Sequence, residues 1–316
     1  MEPTVFGVEV VTDEAGSNVV RWAAVGGGSL VIATGPTPDP SEHVHAMTVP
    51  VSDGSAPLSA VPAGRLYVSI TNGGATIVAA ERRIRFSGSG NFRDLGGYPT
   101  RLGGATRWGQ VFRSDNLHRL TAGDLVAFDA LGIGVIYDLR RDDERAEEPG
   151  PREFVGLPLP SRRVSDAAKR VLTDRKAGEQ WLFEDYCGML ADAGPVFGRI
   201  FSDLAEGYAP PSVFHCAGGK DRTGMTAALL LSWLGVERET VLDDYELTGV
   251  FNSGERLRAI EDIFVEAGIA RLTAQGLLSA PLTIVDDQYG GIETYLRGPA
   301  NMTTTALENL RTRLVA

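Results

Sequence analysis

The segment that most restricts what this chain can become is residues 212–235, SVFHCAGGKDRTGMTAALLLSWLG. A short apolar run of strand character ends at Cys216. Two glycines, Lys220, Asp221 and Arg222 follow, and an apolar helical run covers 223–235. The glycines let the backbone curl into a cradle with its N–H groups inward, and the helix N-terminus adds its positive end. Such a cradle holds an anion the size of phosphate. Thiols on the floor of one ionise well below the ordinary ~8.5. Arg222 offers a planar fork that grips two phosphate oxygens, which a lysine cannot do. Thr223, at the helix start, is placed to hydrogen-bond Cys216. The pattern predicts a site that binds a phosphoryl group in the loop Ala217, Gly218, Gly219 and Lys220 and attacks it with the Cys216 thiolate.

The rest of the chain narrows the setting. Its 316 residues are enough for two domains. A hydrophobic share of 43% and a charged share of 22% are those of a soluble globular protein. The net charge of −11 argues against nucleic acid or an anionic membrane as the main partner. No run approaches the ~18 apolar residues of a membrane span. The opening MEPTVFGVEVV lacks the basic-then-apolar pattern of a Sec-type leader. Two cysteines, Cys187 and Cys216, are too few for a disulfide framework and suit a reducing, cytoplasmic setting, with export by another route left open. No metal or other cofactor is expected. The four histidines, at 43, 45, 118 and 215, show no metal-ligand spacing.

Two regions differ in texture. Over residues 1–85, β-rich runs (TVFGVEVVT, NVVRWAAV, SLVIATG, HAMTVPVS, RLYVSIT, ATIVAAERRIRF) alternate with glycine- and proline-rich turns. That spacing predicts a small β-sandwich, with Trp22 in its core and a hairpin at Asn72-Gly73-Gly74. The pattern is similar to a fibronectin type III or immunoglobulin-like module, in architecture only. A glycine-rich hinge is expected at FSGSGNFRDLGGY. From residue 86 to 316, strands alternate with helices: LTAGDLVAFDALG with Thr121 as N-cap, GVIYDLR as a buried strand, helical periodicity over 176–206, then a helical tail of ERETVLDDYELTG, GERLRAIEDIFVEAG and TTALENLRTRLV. This order predicts an α/β domain with a central, mostly parallel sheet flanked by helices.

His215-Cys216 followed by five residues, Arg222 and Thr223 resembles the signature of cysteine-dependent protein tyrosine phosphatases. Further stretches resemble the bacterial group typified by mycobacterial protein tyrosine phosphatase B: NFRDLGGY (91–98), VFRSDNLHRL (111–120), LGIGVIYDLR (131–140), HCAGGKDRTG (215–224) and YGGIETYLR (289–297). The resemblance runs from about residue 90 to the end and leaves the β-rich region outside it. It implies a two-step reaction through a phosphocysteine on Cys216. Arg222 and the loop N–H groups would stabilise the equatorial oxygens. It favours Asp221, inside the loop, as the general acid. Asp138, at a strand end, and Asp185, about thirty residues before the cysteine, remain alternatives, and Asp138 is also a candidate pocket residue. Lys220 adds a second cation, as in relatives that accept phosphoinositides or phosphoserine and phosphothreonine. A phosphotyrosine protein is the preferred substrate and a phosphoinositide the second.

Each of these residues also has a plain reading. A strand-end cysteine alone is usually inert, and only its spacing to Arg222 reverses that. His215 is read as loop support rather than as a base. Arg93 and Asp94 either shape the pocket or pair with each other to hold a glycine turn, and Arg113 is either solvated or a pocket wall. RRDDERAEE (140–148) reads as a solvated, salt-bridged surface. Residues 151–180 form either a lid or a plain connection. Rival functions are a sulfurtransferase, whose loop is shorter, and a non-catalytic phosphoryl-binding module. The sequence does not indicate an oligomeric state.

Overall fold

A computed structural model of the chain describes residues 4–12, 17–58, 65–161, 175–206, 210–251 and 274–316. The predicted helix GERLRAIEDIFVEAG and part of the predicted lid (162–174) lie outside these residues.

The N-terminal region forms two antiparallel sheets. One has β1 (Thr4–Thr12), β2 (Asn18–Val25) and β5 (Ser55–Pro57) in the order β1-β2-β5. The other has β3 (Ser29–Gly35), β4 (Met47–Pro50), β6 (Tyr67–Asn72) and β7 (Ala75–Ala80) in the order β4-β3-β6-β7. Alternate residues of both sheets, among them Val10, Val20, Trp22, Leu30, Ile32, Val68 and Ile70, meet in one apolar cluster. Trp22 is buried there and donates its indole N–H to the Val51 carbonyl. The β6–β7 hairpin turns at Gly73, whose φ of 60° suits glycine.

The second region centres on a five-stranded sheet. It comprises β8 (Arg93–Asp94), β9 (Val111–Ser114), β10 (Val135–Asp138), β11 (Val155–Gly156) and β12 (Ser212–His215), ordered β11-β10-β12-β9-β8. All pairings are parallel except β8 with β9. Both faces are covered, as the alternation within each strand requires. Phe112, Ile136 and Val213 pack with Phe92 and with Phe128 of α1 (Ala122–Ala130). Val111, Tyr137 and Phe214 point the other way, into a larger cluster lined by most of the remaining helices. Those helices are α3 (Arg175–Asp192), α4 (Gly194–Ala205), α5 (Asp221–Trp233), α6 (Arg238–Phe251), α7 (Ala274–Tyr289), α8 (Ile292–Arg297) and α9 (Thr304–Leu314), while the short α2 (Asp142–Glu147) follows β10. Helix α5 is apolar on nearly every side because it is buried on nearly every side.

Two expectations need correction. The segment at residue 86 is not a hinge. Phe86 is in the core, the Ser87 and Gly88 N–H groups donate to the Asp124 carboxylate, and a Cβ on Gly88 would sit 1.9 Å from the Arg119 carbonyl oxygen. The same Asp124 closes a capping box with Thr121, so the start of α1 and this segment hold each other. Nor is RRDDERAEE merely a solvated surface, because Arg140 is fully buried and Glu144 reaches into the loop region.

The N-terminal sheets are seated on the second region. Arg65 and Asp94 form a buried ion pair. Tyr67, Ala80 and Trp108 share an apolar cluster, and the Trp108 indole donates to the Val78 carbonyl at 2.9 Å. Arg82 lies over the Tyr98 ring and donates to the carbonyls of Asp94 and Gly96.

Candidate active site

Strand β12 runs between two parallel neighbours, so its C-terminal end opens at the sheet edge where α/β proteins place their ligands. Cys216 sits there, 3% exposed, and the loop 217–220 leads directly into α5. The carbonyls of this loop are bound from outside. Ala217 accepts from the Asn116 N–H, Gly218 and Gly219 accept from Asn91 Nδ2, and Gly219 also accepts from Arg113 Nη2 at 2.8 Å. A trans peptide places the following N–H opposite its carbonyl, so the N–H groups of 218, 219 and 220 are turned inward. Gly219 has φ 67°, and a Cβ there would come within 2.6 Å of Asn91 Nδ2 and 2.7 Å of the Asp115 nitrogen. Gly218 has open space at the same position.

Arg222 lies in the first turn of α5 with little exposure. Its two terminal nitrogens meet both oxygens of Glu144, at 2.7 and 3.0 Å. Burial works against the guanidinium's charge, but the neighbouring Cys216 and Glu144 outweigh it, and its pKa rises. Glu144 is affected reciprocally. Burial raises its pKa, and the Arg222 hydrogen bonds and charge more than compensate, pulling it to about 2. Lys220 is half-exposed at the start of α5.

Beneath the loop is a buried charge cluster. Asp244 on α6 takes Arg93 Nε at 3.0 Å, Arg113 Nη1 at 2.5 Å and the Tyr98 hydroxyl at 2.8 Å. Arg113, the donor to Gly219, is thus neither solvated nor a pocket wall. It is a strut under the loop, and burial followed by repulsion from Arg93 lowers it to about 10. Arg93 pairs with Asp244 rather than with Asp94. The Asp94 carboxylate faces the other way and takes the N–H groups of Gly96 and Gly109, at 2.7 and 2.8 Å.

The remaining candidates separate. Asp138 does not reach the pocket: it is fully buried, with both oxygens held by Arg140. Burial opposes its charge, but the Arg140 hydrogen bonds prevail and keep its pKa low, a poor setting for a proton donor. His215 places Nε2 at 3.7 Å from Asp138 and Nδ1 at 3.3 Å from the Cys216 carbonyl oxygen. Burial pushes it down to about 4, so it is neutral near pH 7 and lends the thiol no charge. Thr223 donates to the Ser114 carbonyl rather than to Cys216. Asp185 is half-buried on α3, and it is the adjacent Tyr186 whose hydroxyl meets Asp221, at 2.5 Å. Tyr245 donates to the same carboxylate at 3.3 Å.

Glu144, Tyr186, Asp244 and Tyr245 escaped the sequence reading. One signal was available: Val241, Asp244, Tyr245 and Thr248 fall at i, i+3, i+4 and i+7, a core-facing stripe carrying a charge.

A family model described as "Tyrosine phosphatase family" matches residues 84–316. A tyrosine-protein phosphatase from Nostoc commune is 29% identical over 220 residues, 64% of this chain and 73% of its own length. The triple specificity protein phosphatase PtpB from Mycobacterium tuberculosis is 29% identical over 258 residues, 66% of this chain and 91% of its own. The crystal structure of TpbA from P. aeruginosa is 20% identical and covers 55% of this chain and 86% of its own, at a TM-score of 0.26, too low to carry any structural argument.

Proposed function

The chain belongs to the tyrosine phosphatase family and is a protein tyrosine phosphatase; we propose that its chemistry runs through Cys216, Arg222 and Asp221. The observation that carries this reading is the loop itself. Its carbonyls are tied back by Asn91, Asn116 and Arg113, which turns the N–H group after each one the opposite way, and Cys216 and Arg222 flank it.

In the first step the Cys216 thiolate forms the S–P bond as the ester P–O bond breaks. The loop N–H groups, with Ala217, Gly218, Gly219 and Lys220 as the cradle, and Arg222 stabilise the three equatorial oxygens. Glu144 orients the Arg222 fork. Protonated Asp221 gives its proton to the departing oxygen. In the second step the Asp221 carboxylate takes a proton from water as its oxygen attacks phosphorus, and the S–P bond breaks to return the thiolate. His215 and Thr223 support the loop.

Phosphotyrosine in a protein is the preferred substrate. Tolerance of phosphoserine, phosphothreonine and phosphoinositides is supported by Lys220 and by the triple specificity of the mycobacterial relative. Among the described residues no helix is long and apolar enough to cross a membrane, and we place the enzyme in the cytoplasm. The division into a fibronectin type III or immunoglobulin-like sandwich (1–85) and a catalytic domain (86–316) is supported by the two antiparallel sheets around Trp22 and by a family match that begins at 84.

The test compares phosphate release by wild type and Cys216→Ser on a phosphotyrosine peptide, a phosphoserine peptide and a phosphoinositide. Release from the tyrosine peptide that vanishes in the variant is expected. Release that survives would remove Cys216 from the mechanism, and the ratio across substrates ranks the proposed tolerance.

A further inference from the structure

Two tyrosines from different helices converge on Asp221. Tyr186 comes from α3 and Tyr245 from α6, and both side chains are fully buried. Tyr186 donates its one proton to Asp221 Oδ1 at 2.5 Å, and Tyr245, whose hydroxyl touches the Tyr186 hydroxyl and lies 3.3 Å from the same Oδ1, shares its proton between those two oxygens. Two phenylalanines would fill this space without desolvating hydroxyls. Gly224 makes room for the arrangement, since a Cβ there would lie 2.5 Å from Tyr245 Cε2. Burial, and then the Asp221 charge, raise the pKa of both phenols well above the ordinary range, so both stay protonated and remain donors at working pH.

We propose that Tyr186, backed by Tyr245, is the positioning residue for the proton donor: by pinning Oδ1 of Asp221 it fixes the carboxyl plane and leaves Oδ2 to carry and return the proton. This rests on Asp221 being the acid proposed above. A carboxyl at the start of a helix is otherwise free to rotate about its side-chain torsions. Proton transfer requires it within hydrogen-bond reach of the departing oxygen as the P–O bond breaks. Holding one oxygen by a buried donor that is itself held by a second buried hydroxyl removes that freedom before substrate arrives.

Aryl phosphates of different leaving ability separate positioning from packing. Phenyl phosphate expels a poor leaving group that needs the proton, whereas 4-nitrophenyl phosphate expels one that barely does. Wild type, Asp221→Asn, Tyr186→Phe, Tyr245→Phe and the Tyr186→Phe/Asp221→Asn double variant are compared by kcat/KM on both, with thermal melts to confirm folding. Asp221→Asn should lose about 100-fold or more on phenyl phosphate and a few-fold on the nitrophenyl ester, in keeping with the ~10²–10⁴-fold that a positioned acid supplies. Tyr186→Phe should lose about tenfold on phenyl phosphate and less than about twofold on the nitrophenyl ester, a fraction of that range. In the Asp221→Asn background it should add no further discrimination, because the two residues act as one unit. Tyr245→Phe should show the same pattern more weakly, and it carries the test if Tyr186→Phe does not fold.

Equal losses on both substrates in the folded tyrosine variants, with Asp221→Asn still discriminating, would reduce the tyrosines to packing and leave Asp221 as the acid. An Asp221→Asn enzyme that does not discriminate would place the acid elsewhere and overturn both assignments.

Discussion

Replacing Arg65 by methionine tests whether the N-terminal sheets are a structural part of the enzyme. The Arg65 guanidinium is almost wholly buried between them and the catalytic region. It pairs with Asp94, donates to the Tyr67 hydroxyl at 3.1 Å and to the Glu81 carbonyl at 2.7 Å, and lies near the Trp108 ring. Burial disfavours its charge, but Asp94 more than compensates, so its pKa is raised. Methionine keeps most of the stem volume and removes the charge. Asp94, with no exposed side-chain surface, would then be a buried carboxylate held only by the N–H groups of Gly96 and Gly109. Removing one partner of a buried pair costs ~3–5 kcal/mol. The two surviving N–H donors place this case at the lower end, about 3 kcal/mol. Urea unfolding followed by tryptophan fluorescence measures it, since Trp108 lies in the same interface. Adding Asp94→Asn to the Arg65→Met chain should restore at least half of the loss, because the stranded charge is then gone. A loss under about 1 kcal/mol, the value of a surface pair, would refute the reasoning and show that the sheets ride loosely on the catalytic region.

Two further outcomes follow from the loop and its strand. Gly219→Ala must hold φ at 67° and push into Asn91 and the Asp115 backbone, so it should cost about 2 kcal/mol of stability and about 100-fold or more in kcat/KM. Gly218→Ala meets nothing within 4 Å and should stay within about 0.5 kcal/mol of wild type; equal melting losses for the two would refute the loop geometry. Acidification should weaken the fold through His215, whose pKa is about 4 folded against 6.5 for the ordinary side chain. A depressed folded pKa means that its stabilisation is complete above about 6.5 and is lost as pH falls through 4, about 3 kcal/mol in all. The clamp of Glu144 on Arg222 fails in a lower window, between its ordinary 4.5 and about 2. Urea midpoints from pH 7 to 4 should therefore flatten in His215→Asn, and an unchanged slope would exclude His215 as the cause.

The strand–loop–helix around Cys216 was legible because its chemistry is local. Cys216, the glycines and Arg222 lie within seven consecutive positions, and the periods of strand and helix on either side show in the apolar runs. Most elements of the catalytic region, and the β character of the first 85 residues, were legible for the same reason. Helix α7 was not read, because Pro281 interrupts its pattern, yet the chain continues helical through it. Strand β5 is only three residues within a turn-rich stretch.

What escaped was pairing at a distance. Glu144 looked like one more charge in RRDDERAEE, and only the fold brings it to Arg222, seventy-eight residues on. The glycines at 88 and 90 suggested freedom, but Gly88 is there because another backbone passes close against it. Asp138 had the right strand position for an acid, and Arg140, two residues later, occupies both its oxygens.

The sequence alone therefore determined the strand–loop–helix that carries Cys216, its glycines and Arg222, and the α/β framework, since adjacency and period are written along the chain. Only the tertiary structure decided that Arg140 occupies Asp138, which arginines are struts beneath the loop, and that two buried tyrosines meet Asp221. A charge takes its role from the partner and the solvent exposure that folding assigns to it.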